Sequence, residues 1–238
     1  MRILVINQFF YPEVASSGQI ITELCADMVR AGHLVTVLTG RASYRRREEQ
    51  EQEQLHPLSR RPKREWAHVT GGLVYELADM FPERFLELDE AFGIRIVRTY
   101  AYSPSTGRDA WRYAQRVILY LTFFISSFVV ALLMPRYDVV IYLSTPPLLN
   151  GLTACALRWL KGTVNIYNIQ DLYPDVAVKL GAVQNKWVIR ACHIVEKLLY
   201  RQASAVIPVG EKIADVLVNE KGVTAEKVEV IPNWTDVT

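Results

Sequence analysis

The stretch IQDLYPD, residues 169–175, sets two carboxylates, Asp171 and Asp175, directly after the apolar run TVNIYNI. A carboxylate held on a stiff turn can orient an attacking hydroxyl, accept its proton or stabilise positive charge developing at a sugar carbon. Tyr173 and Pro174 supply the stiffness. Asp171 is therefore the candidate catalytic group, while Asp175 reads as a helix cap for VAVKLG. Further back, ASSGQ places Ser16 and Gln19 in the S-x-x-Q form of a capping box, with Gly18 between them allowing close backbone approach. Free N–H groups and the helix dipole at such a start attract a phosphate or carboxylate, although a plain helix cap has the same pattern.

Several other chemistries lack their residues. The first apolar run is not followed by G-x-G-x-x-G, and no G-x-x-x-x-G-K-[ST] occurs. His33, His56, His68 and His193 have no ligand spacing and there is no Asp-x-Asp, so no metal and no cofactor is expected. No serine lies in a G-x-S-x-G elbow.

The elements that must position these groups follow one rhythm. RILVIN and LVTVLTG read as strands buried on both faces, and QIITELCADMVRAGH between them repeats Ile20, Ile21, Leu24 and Met28 at helical spacing before Gly32. Strand, helix, strand is a βαβ unit with a parallel pair. GIRIVRTY, DVVIYLS, TVNIYNI, SAVIPV and KVEVI continue as strands, with helices over 108–134, 148–160, 184–202 and 211–221. Pro208 marks a strand end or bulge. The expectation is an α/β, Rossmann-like, doubly wound parallel sheet. Ligands of such sheets bind at the carboxyl ends of the strands, where YPEVASSGQ, GRASY, TPP, QDLYPD, GEK and PNW fall.

Two stretches break the rhythm. Residues 45–65 run basic, acidic, basic with little to bury, a solvated excursion or a surface for an anionic partner. After them, MFPERFLELDEAFG places Phe81, Phe85, Leu88 and Phe92 on one helical face and is expected to form a docking helix. The uncharged run at 117–134 is long enough to cross a membrane. Trp111, Arg112, Tyr113 and Arg116 before it, and Arg136 and Tyr137 after it, resemble interfacial anchors. A single crossing would separate two strands of the expected sheet. A helix lying against a membrane face or an ordinary buried crossover helix is therefore favoured over a true span.

The chain has 238 residues, half of them hydrophobic, and a net charge of only +2, a globular composition with no overall charge that argues for nucleic acid. Cys25, Cys155 and Cys192 are far apart and odd in number, the usage of a reducing compartment. The opening apolar run is short and interrupted by Asn7 and Gln8, so no export signal is expected there.

MRILVINQFFYPEVASSGQIITELCADMVRAGHLVTVLTG, DVVIYLSTPPLLNGLTA, IQDLYPDVAVKLGAV and KVEVIPNW, in that order and spacing, resemble the amino-terminal domain of GT-B fold, family 4 glycosyltransferases. The likeness is specifically to bacterial enzymes of O-antigen, capsule and colanic-acid type, including N-acetyl-L-fucosaminyl transferases. The resemblance implies that residues 1–238 form the acceptor-side domain, with a charged insertion at about 45–92 and a hinge segment at about 231–238, and that a nucleotide-sugar-binding domain would follow. It places Gly18, with Ser17 beside it, against the donor diphosphate, Asp171 near the reacting carbon and Glu211 at the start of a rim helix. With the rim residues Thr145, Tyr173 and Asn233, these make the candidate substrate-binding set. It also implies transfer with retention and without a metal, from a nucleotide-sugar to a polyprenyl-diphosphate-linked glycan. The enzyme would sit on the anionic inner face of the cytoplasmic membrane. A non-catalytic glycan-binding module or half of a split transferase is the alternative, and an NAD-dependent nucleotide-sugar epimerase a more distant one.

Overall fold

The computed structural model describes residues 1–12, 16–41, 72–83, 85–102 and 109–233, and for residues 16, 17 and 109–113 the backbone only. The charged block at 45–65 and the anchors Trp111, Arg112 and Tyr113 thus fall outside the described side chains. The chain divides into two compact units, Met1–Tyr137 and Asp138–Thr238.

The first unit runs β1 (Arg2–Ile6), α1 (Ser16–Arg30), β2 (Leu34–Gly40), α2 (Gly72–Met80), β3 (Leu86–Ala91), β4 (Ile94–Thr99) and α3 (Asp109–Leu133). Its strands lie in the order β3-β4-β2-β1. β1 pairs parallel with β2 and β2 with β4, in the registers Ile3↔Val35 and Val37↔Ile96. The core strands alternate little because both faces are covered: Leu4, Val5, Ile6, Val37, Leu38 and Ile96 are all buried. The helical stripe of α1 contributes Ile21 and Cys25 to that core.

The docking helix expected over MFPERFLELDEAFG is not found among the described residues. Leu86–Ala91 instead form β3, which pairs antiparallel with β4 from Leu86↔Thr99 to Ala91↔Ile94. The operative period is two rather than 3.6: Leu86 and Leu88 turn inward, while Phe81, Phe85 and Phe92 stay about half exposed. Phe92 and Gly93 close the hairpin, both at positive φ, which is the backbone a two-residue hairpin turn of right-handed twist requires. The helix of this region is α2, which the sequence pattern did not reveal; it buries Val74 and packs on β3 and α3.

α3 is the long apolar run, and Ala114–Leu133 meets the length and hydropathy of a membrane span. It docks on its own unit along one face. Leu119 and Phe123 join Ala101 in a buried cluster, Thr122 Oγ1 accepts from Tyr102 N at 3.0 Å, and Ser126 Oγ donates to Tyr100 O at 2.6 Å.

The second unit runs β5 (Val139–Leu143), α4 (Leu149–Lys161), β6 (Val164–Ile169), α5 (Asp175–Lys179), α6 (Lys186–Gln202), β7 (Ala205–Pro208), α7 (Glu211–Asn219) and a 3-10 turn at Ala225–Lys227. β5, β6 and β7 are parallel neighbours in that order. Pro208 is the last residue of β7, as its missing N–H requires. The strand expected at KVEVI shrinks to a single parallel bridge between Val228 and Val206, continued by hydrogen bonds from Glu229 N to Val206 O and Ile231 N to Pro208 O. α6 begins at Asn185, whose Oδ1 accepts from Trp187 N and Val188 N.

Candidate functional site

In the first unit the carboxyl end of β1 carries Asn7 and Gln8 into the first loop. Gly40, at the end of β2, lets that loop come close: its N–H donates to Gln8 O at 3.1 Å, and a Cβ there would lie 3.0 Å from the same oxygen. Thr39 Oγ1 donates to Gln8 O as well, at 3.0 Å. From the other side Arg98 Nη2 donates to Tyr11 O at 2.6 Å, while its Nε donates to Asp89 Oδ2 at 2.8 Å. Both charged side chains are 1% exposed, so one buried ion pair ties the β3–β4 hairpin to the loop that leads into α1.

Gly18 is buried in the first turn of α1, where the chain has free N–H groups. The backbone of Ser17 lies in the same turn; its side chain, like that of Ser16 and hence the capping box, falls outside the described residues. Gln8, which no sequence motif marks, is almost wholly buried, and neither its amide nitrogen nor its oxygen has a partner among the described residues.

In the second unit the three parallel strands deliver their loops to one edge. Thr145 lies just past β5, Asp171 and Tyr173 just past β6, and Glu211 just past β7. A polar chain joins the first two loops to the segment after the bridge at Val228. Asn233 Nδ2 donates to Gln170 Oε1 at 2.8 Å, Gln170 Nε2 to Asn168 Oδ1 at 2.6 Å, and the Gln170 N–H to Ser144 Oγ at 3.2 Å. Asn150 Nδ2 holds the Thr145 carbonyl at 2.6 Å. Gln170 is thus the hub that ties Asn233 to the loop carrying Asp171. The only trace of it in the sequence is a polar residue ending a buried strand, and such a residue needs a partner.

Asp171 is exposed at this edge, and Tyr173 is half-buried beside Pro174. Glu211 is the first residue of α7 and caps nothing with its side chain; its carboxylate sits at the positive end of the helix dipole. Asp175 does not act as the expected cap. Pro174 holds the N-cap position of α5, and Asp175 is drawn instead to Lys221, whose Nζ lies 2.7 Å from Oδ2. Lys221 also reaches Glu196 Oε1 at 3.1 Å, and the buried Glu196 accepts from Tyr200 OH at 2.9 Å and contacts His193 Nδ1 at 3.0 Å. Burial opposes the charge on Lys221, but hydrogen bonds and attraction from these two carboxylates outweigh it and raise its pKa. Burial, reinforced by the Glu196 charge, pushes the Tyr200 phenol up. This network braces the segment behind Asp171 and leaves Asp171 outside it.

The whole edge is a set of hydroxyl, amide and carboxylate groups suited to a polyhydroxylated ligand, and both of its carboxylates, Asp171 and Glu211, are exposed. Residues 17–234 match the glycosyl transferase 4-like domain. Among solved structures, sucrose-phosphate synthase from Thermosynechococcus elongatus is similar at a TM-score of 0.53 and 13% identity, the match covering 99% of this chain and 49% of that one. A second chain of that synthase gives 0.51 at 13% identity, covering 99% and 91%. The chain therefore spans about half the length of the first synthase chain it matches. At this identity the likeness is one of fold: an α/β arrangement of mostly parallel strands, matching half of a GT-B enzyme. No curated protein matches the chain. On the family match over nearly all of its length, the chain belongs to the glycosyl transferase 4-like domain family.

Proposed function

We propose that this chain is the acceptor-side half of a retaining glycosyltransferase that builds a cell-surface polysaccharide of O-antigen or capsule type. The donor is a nucleotide-sugar gripped by a second α/β domain, and the acceptor is a polyprenyl-diphosphate-linked glycan. The bond from the anomeric carbon to the diphosphate breaks, and a bond to the acceptor hydroxyl forms on the same face. Asp171 orients that hydroxyl or stabilises the charge developing at the carbon. Gly18, with Ser17, faces the diphosphate through free N–H groups at the start of α1. Thr145, Tyr173, Glu211 and Asn233 line the sugar-binding edge.

The observation that carries this reading is the position of Asp171. It is an exposed carboxylate just past a buried parallel strand, next to Gln170, which holds Asn233 and the end of β5. In the full-length enzyme Asp171→Asn is expected to lower turnover by about 100-fold or more, the low end of what a positioned acid or base supplies. Unchanged turnover would remove Asp171 from the reaction.

The lipid-linked acceptor places the enzyme on the inner face of the cytoplasmic membrane, and α3 supports this. Ile118, Leu121, Ile125 and Val129 form an outward apolar stripe opposite the docked face, with Arg116 and Arg136 flanking the run. A helix of this kind lies in the interfacial plane with its apolar face among the acyl chains.

A further inference from the structure

The outward face of α6 is the second surface whose chemistry does not suit water. On an ordinary surface helix that face is polar. Here Trp187 and Ile194, seven residues apart and so on one side of the helix, are 78% and 65% exposed. Glu196, Leu199 and Tyr200 occupy the opposite, buried side. Beside the apolar pair runs a row of exposed cations, Lys186, Arg190 and Lys197. The preceding segment adds Lys179 and the 77% exposed Leu180.

The acids of the same stretch do not offset this charge. Glu196 is buried and held by Lys221 and Tyr200, and Asp175 is paired with Lys221. None of Lys179, Lys186, Arg190 and Lys197 meets a carboxylate among the described residues. Exposed indole and aliphatic groups are unfavourable in water, whereas the cations beside them are well hydrated there. At a bilayer surface both are satisfied, the indole at the headgroup level and the cations against anionic headgroups.

We propose that the outward face of α6, centred on Trp187 and Ile194 and flanked by Lys186 and Arg190, is a docking surface for an anionic phospholipid bilayer. The contact deepens the membrane placement of the proposed transferase, and it is carried by α6 rather than by the stripe on α3. The charge complementarity selects lipid over an apolar protein partner, which would leave the cations buried without counter-charges. The long stems of the cations lie along the apolar strip while their heads reach the phosphates.

The test uses the 238-residue chain and sedimentation with two vesicle preparations, phosphatidylcholine alone and phosphatidylcholine with phosphatidylglycerol. The intact chain is expected to partition onto the anionic vesicles, more weakly as salt rises. Lys186→Gln with Arg190→Gln is expected to lower that partition by about tenfold or more, each cation near the surface contributing to the attraction. Trp187→Ala with Ile194→Ser should lower it by a similar factor while circular dichroism stays unchanged, because these side chains are exposed. Partition unaltered by both pairs overturns the proposal, as does equal binding of the intact chain to the two preparations. A lipid-free dimer that the same variants dissolve overturns it too, since the face would then cover a second copy. The readout is independent of turnover, so a failed Asp171→Asn experiment leaves it standing, and the reverse holds.

Discussion

Asp171 is exposed and stands outside the network of Asp175, Lys221 and Glu196, so the fold does not depend on its charge. The expected loss of turnover in Asp171→Asn should therefore come without loss of fold. The three cysteines behave differently from one another. Burial pushes up the thiols of Cys25 and Cys155, the latter to about 11 from an ordinary 9.0, whereas Cys192 is only partly covered and is raised by burial and then by the Glu196 charge. A thiol that stays neutral in the fold favours the fold. For Cys155 the contribution is complete below pH 9 and is lost as pH rises toward about 11. Alkylation of the native chain at about pH 8, followed by mass spectrometry, should yield Cys192 adducts first, with Cys25 and Cys155 reacting only on unfolding. Early labelling of Cys155 would show that α4 opens locally. Asp171 could be picked out of the sequence because a carboxylate after an apolar run is visible as such; Gln170 could not, because its importance lies in Asn233 and Ser144, partners from two distant segments.

At the scale of elements, the pair Arg98–Asp89 decides how the β3–β4 hairpin meets the first loop. Arg98 and Asp89 meet diagonally across an antiparallel pair, in a register that sets Asp89 opposite Ile96. Replacing Arg98 by Leu strands a carboxylate that water cannot reach and releases Tyr11 O. The expected cost is about 3–5 kcal/mol in urea unfolding, and Asp89→Leu with Arg98→Leu should recover much of it. An equal cost in single and double variants would mean that the pair contributes little beyond packing. The same hairpin shows why sequence periodicity failed here: Phe81, Phe85, Leu88 and Phe92 satisfy a helical face, yet Leu86 and Leu88 satisfy a strand, and pairing with β4 chose the second. The expected cap at Asp175 was lost for a similar reason, since its partner Lys221 comes from just past α7 yet lies 2.7 Å away in space.

For the molecule as a whole, the outward stripe of α3 bears on where the protein works. Ile125 and Val129 are 61% and 50% exposed. Changing both to Asp should alter stability by no more than about 0.5 kcal/mol, as for other exposed positions. If α3 lies in a membrane face, the same change should lower vesicle binding about tenfold or more by placing charge among acyl chains. Binding that survives the change would assign membrane attachment elsewhere on the chain.

Sequence alone determined the α/β class, the parallel strands flanking α1, α4 and α6, and which loops follow the carboxyl ends of those strands. Each of these follows from local apolar periodicity and from the handedness of βαβ units. It also placed Asp171, Thr145 and Glu211 at strand ends, because a strand's end is a local property. Tertiary structure decided what depends on partners distant in the chain: the strand rather than helix at β3, the reduction of KVEVI to one bridge, and the diversion of Asp175 to Lys221. Among the described residues it also left two apolar faces, on α3 and α6, exposed. A periodic pattern records that a residue has an apolar side; only packing shows whether another part of the protein covers it.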